Sequence, residues 1–397
     1  MGGFGMAKPL DGLCVLDLTR VLAGPFAGML LADMGADVIK VENPKGGDDS
    51  RAFSPFKNGV SAYFMGLKRS VTINLKLSAG KALFERLIPT ADVLIENFKP
   101  GTMKKLGLDY EALRPLNPRL IYAASSGFGQ TGPFSSKAAY DLIIQGLSGF
   151  MSITGFDAGH PVKAGSSIAD IFAGVFTVIG ILAALENRHR TGKGQMVDVA
   201  MLDCMVAILE NAIASYDCTG KSPEPLGNGH RSISPFAAFP TADGLVNICA
   251  GNDDLWRRLC EVAGMERYIA DERFRNNRGR VENFPELFEV IAEHLRKRTT
   301  AEWIEALDEV KVPCGAIQKM EEVVRDPQVL ARQMVVHMEH PEAGSLLVPG
   351  IPIKFSDTPA GIKCPAPALG QHNGEVFGKL LGIDADELAR LREQGAI

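Results

Sequence analysis

Residues 13–42 read LCVLDLTRVLAGPFAGMLLADMGADVIKVE. Three signals follow one another in that stretch. Residues 13–19 (LCVLDLT) are a short β-rich run, residues 24–34 are small, apolar and helical in period, and residues 37–42 (DVIKVE) alternate as a strand does. Strand, helix and strand in succession make a βαβ unit, whose crossover is right-handed and whose strands lie parallel. The pattern continues with a helix signal over residues 79–88 and strand signals over residues 93–96 and 120–124. The expected fold class is α/β, a Rossmann-like open parallel sheet covered by helices on both faces.

The chain has 397 residues, more than one hydrophobic core usually serves, so two domains are expected. Residues 1–200 carry the strand–helix alternation and form the expected large domain. Residues 221–229 (KSPEPLGNG) are dense in turn formers and read as a linker. After it come a strand candidate at 244–250 and amphipathic helices at 285–298 and 300–309. Residues 225–314 are therefore expected to be a smaller α/β domain. Residues 330–397, which include VPGIP at 348–352, form a C-terminal segment expected to return to the large domain.

A net charge of −5 argues against nucleic acid as the main partner, because a phosphate backbone is bound by excess Lys and Arg. It leaves room for a small anionic ligand. The seven cysteines are odd in number and form no CxxC pair, so neither a metal site nor a disulfide framework is signalled. Residues 1–9 lack an apolar signal core. The longest apolar run, from Ile171 to Leu185, spans 15 residues, too few to cross a bilayer, and reads as a buried helix. No membrane association and a cytoplasmic location are the expectations.

Several motifs carry chemistry. Gly127, Gly129 and Gly132 form GFGQTG after a strand signal, yet Pro133 follows and no apolar helix starts, so the reading is a Gly-rich active-site loop rather than a nicotinamide site. Arg20, Lys68, Arg69, Lys76, Lys99, Lys104 and Lys105 recur near strand ends, where open α/β sheets bind ligands and a phosphorylated one would suit. Asp170 sits in AGSSIADIFAG among small residues. With Ser166 or Ser167 as N-cap it falls in a first helical turn, where free N–H groups favour an ionised carboxylate. Such a carboxylate either starts the helix or acts as a covalent nucleophile. In GNGHRSISPF, the run His230, Arg231, Ser232 is either a polar linker or a carboxylate-binding loop.

Residues 16–42, KRSVTINLK at 68–76, ENFKPG at 96–101, GFGQTGP at 127–133 and SIADIFAG at 167–174, in that order along the chain, resemble class III CoA-transferases, the formyl-CoA transferase and carnitine CoA-transferase group. Within that family the Tyr140-Asp141 pair, VDVAMLD (197–203), the GHRSISPF loop and PAPALGQH (365–372) are most similar to the succinyl-CoA–glutarate, or dicarboxylate, type. The resemblance implies a large Rossmann-like CoA-binding domain, a small domain and an interlocked homodimer. It implies Asp170 as nucleophile and CoA contacts at Arg20, Val21, Ile73, Lys76, Asn97, Phe98, Lys105 and Met201. It places substrate or loop roles on Gly127, Gly129, Tyr140, His230, Arg231, Ser232, Gly251 and Asn252. Coenzyme A and acyl-CoA are implied as substrates with no permanently bound cofactor, and a small carboxylate as acceptor. Formyl-CoA transferase carries arginine where this chain has Asn43 and glutamine where it has Leu22, which weakens a formyl/oxalate specificity. The related α-methylacyl-CoA racemase needs a histidine where this chain has Tyr140, and a tyrosine of pKa near ~10 is a poor base at neutral pH.

Overall fold

The computed structural model describes residues 7–61, 69–362 and 365–397; Lys68, one of the expected rim cations, lies outside them. The chain divides into two units. The first takes the described residues up to Phe150 with Lys163–Ile213 and Pro327–Ile397, and the second takes Met151–Val162 and Ala214–Asp326.

The first unit is built on six strands: β1 (Cys14–Asp17), β2 (Asp37–Glu42), β3 (Arg69–Thr72), β4 (Val93–Glu96), β5 (Ile121–Ser126) and β6 (Met196–Ala200). All pair in parallel. Their order is β3-β2-β1-β4-β5-β6, the order of a dinucleotide-binding Rossmann sheet. Sequence periodicity reveals β1, β2, β4 and β5 but not β3 or β6. The first has four residues and starts on the charged Arg69. The second is an edge strand with Asp198 at its centre, so neither produces a long apolar run.

Six helices matter here: α1 (Ala23–Asp33), α2 (Ser78–Leu87), α3 (Thr102–Leu106), α4 (Asp141–Leu147), α5 (Ile168–Thr191) and α6 (Met201–Ala207). Alternate strand residues feed two cores, as a doubly covered sheet requires. Leu16, Ile39 and Leu94 pack with Phe84 of α2 and Phe377 near the C-terminus. Val15, Val38, Val93 and Ile95 pack with Leu31 of α1 and Ile181 of α5. Contact between α1 and α5 is close because position 174 is glycine: a Cβ there would lie 2.8 Å from the Ala23 carbonyl oxygen.

Helix α5 corrects an expectation. It runs 24 residues, beyond both ends of the 15-residue apolar run, and by length and composition alone it is long enough to cross a bilayer. It is instead packed on the sheet through Val178, Ile181, Ala184 and Leu185. Near its end the buried Arg188 pairs with Asp92 at 2.9 Å.

The second unit holds a three-stranded antiparallel sheet, β7 (Phe236–Pro240), β8 (Leu245–Cys249) and β9 (Cys314–Ala316), in the order β9-β8-β7. Helices α7 (Asp253–Ala263), α8 (Phe284–Leu295) and α9 (Thr300–Glu309) bury Trp256, Leu259, Ile291, Leu295, Trp303 and Leu307 in one core with Phe239 and Ile248. Thr299 and Glu302 close a capping box at the start of α9.

Candidate active site

A helix that returns from β5 to the parallel β6 runs against the strands. Its N-terminus therefore lies at their carboxyl edge, where open α/β sheets bind ligands. Asp170 occupies the first turn of α5. Ser167 is the N-cap, but its side chain makes no capping hydrogen bond. The cap comes from Asp141, in the first turn of α4 and buried. Asp141 Oδ1 accepts from the Ala169 N–H at 2.9 Å and its Oδ2 accepts from Gln145 Nε2 at 2.7 Å. Gln145 is fully buried, and its Oε1 accepts from the Ala164 N–H at 2.8 Å.

The pull that free helix-start N–H groups were expected to exert toward an ionised Asp170 is opposed here. Burial, and then the charge of Asp141, push the Asp170 carboxyl up to about 7. The Ala169 N–H is already committed to Asp141, and desolvation disfavours the charged form. Around Asp170 the small residues Ala169 and Ala173 pack with Ala23, Phe128 and Met201. Met201 is buried in the first turn of α6.

The Gly-rich segment is a loop, with Gly129 and Gly132 at φ of 81° and 87°, conformations glycine adopts readily. Gly127 abuts Ala139: a Cβ there would lie 2.3 Å from the alanine Cβ. Tyr140, next to it, is 71% exposed. The Gly129 N–H donates to Ser126 Oγ at 3.0 Å and the Gln130 N–H to Asp198 Oδ2 at 2.9 Å. These two N–H groups are thus already spent and are not free to hold a substrate oxyanion.

In the strand order, direction of winding reverses between β1 and β4. The loops that leave these strands carry Arg20, Val21, Asn97 and Phe98. They are tied together: the Arg20 N–H donates to Asn97 Oδ1 and Asn97 Nδ2 donates to the Arg20 carbonyl, both at 2.8 Å. Val21 has φ of 69°, a left-handed backbone that costs a β-branched residue about 1–3 kcal/mol. Its N–H donates to Asp48 at 3.0 Å, and the buried Asp48 pairs with the buried Lys40 at 2.8 Å. Lys40 also donates to the Thr19 carbonyl at 2.8 Å. Arg20 itself is half-exposed and pairs with Asp49.

Sequence reasoning assigned no role to Glu96, which ends β4 on this edge. It is buried, and burial, with Asp198 adding to it, raises its carboxyl to about 7. One oxygen accepts the Phe98 N–H at 2.8 Å and so shapes the loop. Ile73, just beyond β3, is buried, whereas Lys76 and Lys105 are exposed. Arg69 is corrected: it opens β3, at the opposite edge of the sheet, and pairs with Asp37 and with Glu375.

His230, Arg231, Ser232, Gly251 and Asn252 belong to the second unit. His230 Nδ1 accepts the Ser232 N–H at 3.1 Å, and Arg231 donates to the Glu224 carbonyl at 2.5 Å. Asn277 grips the loop from below, giving a hydrogen bond to the Ser232 carbonyl at 2.8 Å and accepting one from the Ser234 N–H at 3.0 Å. Asn252 caps α7 by accepting the Leu255 N–H at 2.8 Å. Gly251 leaves room for Ile233, whose Cγ2 would lie 1.9 Å from a Cβ.

Fold and site together define an α/β protein with a half-buried carboxyl at the ligand-binding edge of a Rossmann sheet. Residues 10–373 match CoA-transferase family III, and the chain belongs to that family of enzymes. It is 47% identical over 388 residues to the succinate–glutarate CoA-transferase of Agrobacterium fabrum, covering 95% of this chain and 96% of that one. It is 43% identical to the acetyl-CoA:oxalate CoA-transferase of Acetobacter aceti, covering 88% and 89% of the two chains. It is 37% identical to the human succinyl-CoA:glutarate CoA-transferase, covering 98% and 90%. A crystal structure of a CAIB/BAIF family protein from Brucella suis superposes with a TM-score of 0.85 at 40% identity, covering 94% of this chain and all of that one. The protein is a CoA-transferase whose substrates are acyl-CoA thioesters and carboxylates.

Proposed function

We propose that the enzyme moves CoA from succinyl-CoA to a dicarboxylate such as glutarate, with Asp170 as covalent nucleophile. The observation that carries this reading is Asp170 itself, half-buried in the first turn of α5 with no hydrogen bond to its carboxylate among the described residues. A carboxyl raised to about 7 is a stronger nucleophile when ionised than an ordinary aspartate, and near neutrality a large share of it is ionised.

The steps balance without ATP or a redox partner. An Asp170 carboxylate oxygen attacks the thioester carbonyl carbon; the C–S bond breaks and CoA leaves as thiolate, giving a mixed anhydride. The thiolate attacks Asp170 Cγ, the anhydride C–O bond breaks, and the donor acid departs as carboxylate. The aspartyl-CoA thioester is then attacked at Cγ by the acceptor carboxylate, which expels the thiolate and forms a second anhydride. Attack of the thiolate on the acceptor carbonyl releases the new acyl-CoA and regenerates Asp170. Water must be kept out, since anhydride and thioester both hydrolyse.

In this reading Arg20, Val21, Ile73, Asn97, Phe98 and Met201 line the path of CoA, and Lys76 and Lys105 meet its phosphates. His230, Arg231 and Ser232 hold the free carboxylate of the acceptor. The enzyme works as a cytoplasmic homodimer; apolar Ile179 and Leu182 exposed on α5 and Leu142, Ile143 and Leu147 exposed on α4 support a second copy covering these helices. Among dicarboxylates, oxalate is a second acceptor supported by the likeness to the Acetobacter enzyme. Incubation with succinyl-CoA and a panel of mono- and dicarboxylates, read by mass for new acyl-CoA species, tests the proposal. Glutaryl-CoA should form, and production of CoA thioesters from monocarboxylates alone would reject the dicarboxylate reading.

A further inference from the structure

We infer that Asp141 and Gln145 are positioning residues for Asp170: together they form a ladder of committed hydrogen bonds that caps α5 and fixes a negative charge beside the nucleophile. The inference rests on Asp170 being the nucleophile. The ladder is read from its donors. The Ala164 N–H can only donate, so the Gln145 atom that meets it is the carbonyl oxygen. That fixes the Gln145 amide, whose NH2 must point at Asp141 Oδ2. The other oxygen faces the Ala169 N–H, again a donor. Both Asp141 oxygens are therefore acceptors, which is how an ionised carboxylate bonds. Asparagine there would set its own NH2 against that of Gln145 or against a backbone N–H.

Two consequences follow for the residue one place along from Ala169. The ladder ties residues 164 and 169 to α4 and so fixes the start of α5. It also removes a helix-start N–H that would otherwise stabilise an Asp170 anion, and replaces it with a like charge. Other ionisable groups near the turn act elsewhere: Lys163 donates to the Ala164 carbonyl at 2.8 Å, Asp203 sits in the first turn of α6 on its exposed side, and α1 bears no ionisable side chain before Asp33. Asp141 is the charged neighbour that raises the Asp170 carboxyl, after burial.

The test uses full-length enzyme labelled with 13C at aspartate Cγ, so that Glu96, which titrates in the same range, is silent. Asp170→Asn identifies the Asp170 signal. In the wild type its midpoint should lie near 7. Asp141→Asn should move it down by roughly one pH unit, as loss of a like charge does, and should slow transfer by about tenfold or more through kcat rather than KM. Asp141→Glu keeps the charge and should restore the high midpoint. Thermal melts of each variant establish that it is folded. An Asp170 midpoint unchanged in folded Asp141→Asn would overturn the inference, as would an equal fall in Asp141→Glu. Because the midpoint is measured without substrate, failure here is separate from failure of the nucleophile assignment, which would appear as activity retained in Asp170→Asn.

Discussion

Asp170 is held in the fold against its own chemistry. Its carboxyl stands at about 7, against an ordinary 3.8, so between those pH values the folded chain binds more protons than the unfolded one. On account of this group stability is highest below about pH 4 and falls as pH rises toward 7. Asp170→Asn is therefore expected to raise Tm at pH 8 and to change it little at pH 4; an equal effect at both pH values would contradict the linkage. Activity should run the other way, with kcat rising through pH 7 as the nucleophile ionises. At the edge of the site, Lys76→Ala and Lys105→Ala should each raise KM for every acyl-CoA by about 1.4- to 5-fold, the range given by an exposed ion pair of about 0.2–1 kcal/mol. Unchanged KM in both would make these cations solvated surface. Arg231→Ala should lower kcat/KM by about 2–4 kcal/mol for dicarboxylate acceptors and little for monocarboxylates, measured side by side on one preparation.

Between elements, the close seam of α1 and α5 decides where Asp170 sits. Gly174→Ala would bring a methyl group to 2.8 Å from the Ala23 carbonyl, and urea unfolding should show a loss of about 1–3 kcal/mol. Gly165, with nothing within 4 Å of its would-be Cβ, is the control; its alanine variant should stay within about 0.5 kcal/mol of wild type. The seam also marks what the sequence could reveal. The first βαβ unit and α9 were legible because their periodicity is local. The cap on α5 was not, since Ser166 and Ser167 satisfy the local rule while the bond is made by Asp141, 28 residues earlier. Glu96 was hidden for the same reason: Tyr122, whose hydroxyl donates to it at 3.5 Å, lies on the neighbouring strand and outside the ENFKPG run.

At the level of the whole chain, the sheet order places the two regions proposed to meet substrate in the first unit on one edge. The switch point between β1 and β4 presents the Arg20–Asn97 pair, and the crossover to β6 presents Asp170. Both follow from the right-handed connection rule, which the alternating strand and helix signals already imply. The second unit carries the His230–Ser232 loop, proposed above to hold the acceptor, on a separate core. Light scattering should give twice the chain mass, and Leu182→Glu should reduce it toward the monomer if α5 is covered by a second copy; a monomeric wild type would reject the homodimer.

The central claim is that CoA becomes covalently attached to Asp170 during turnover. Wild-type enzyme mixed with succinyl-CoA alone, quenched in acid and digested, should yield the peptide that contains Asp170 heavier by one CoA less one water, with free succinate released in equal amount. Asp170→Ala should yield none. The same adduct in Asp170→Ala, or its absence from wild-type enzyme that is turning over, would contradict the account.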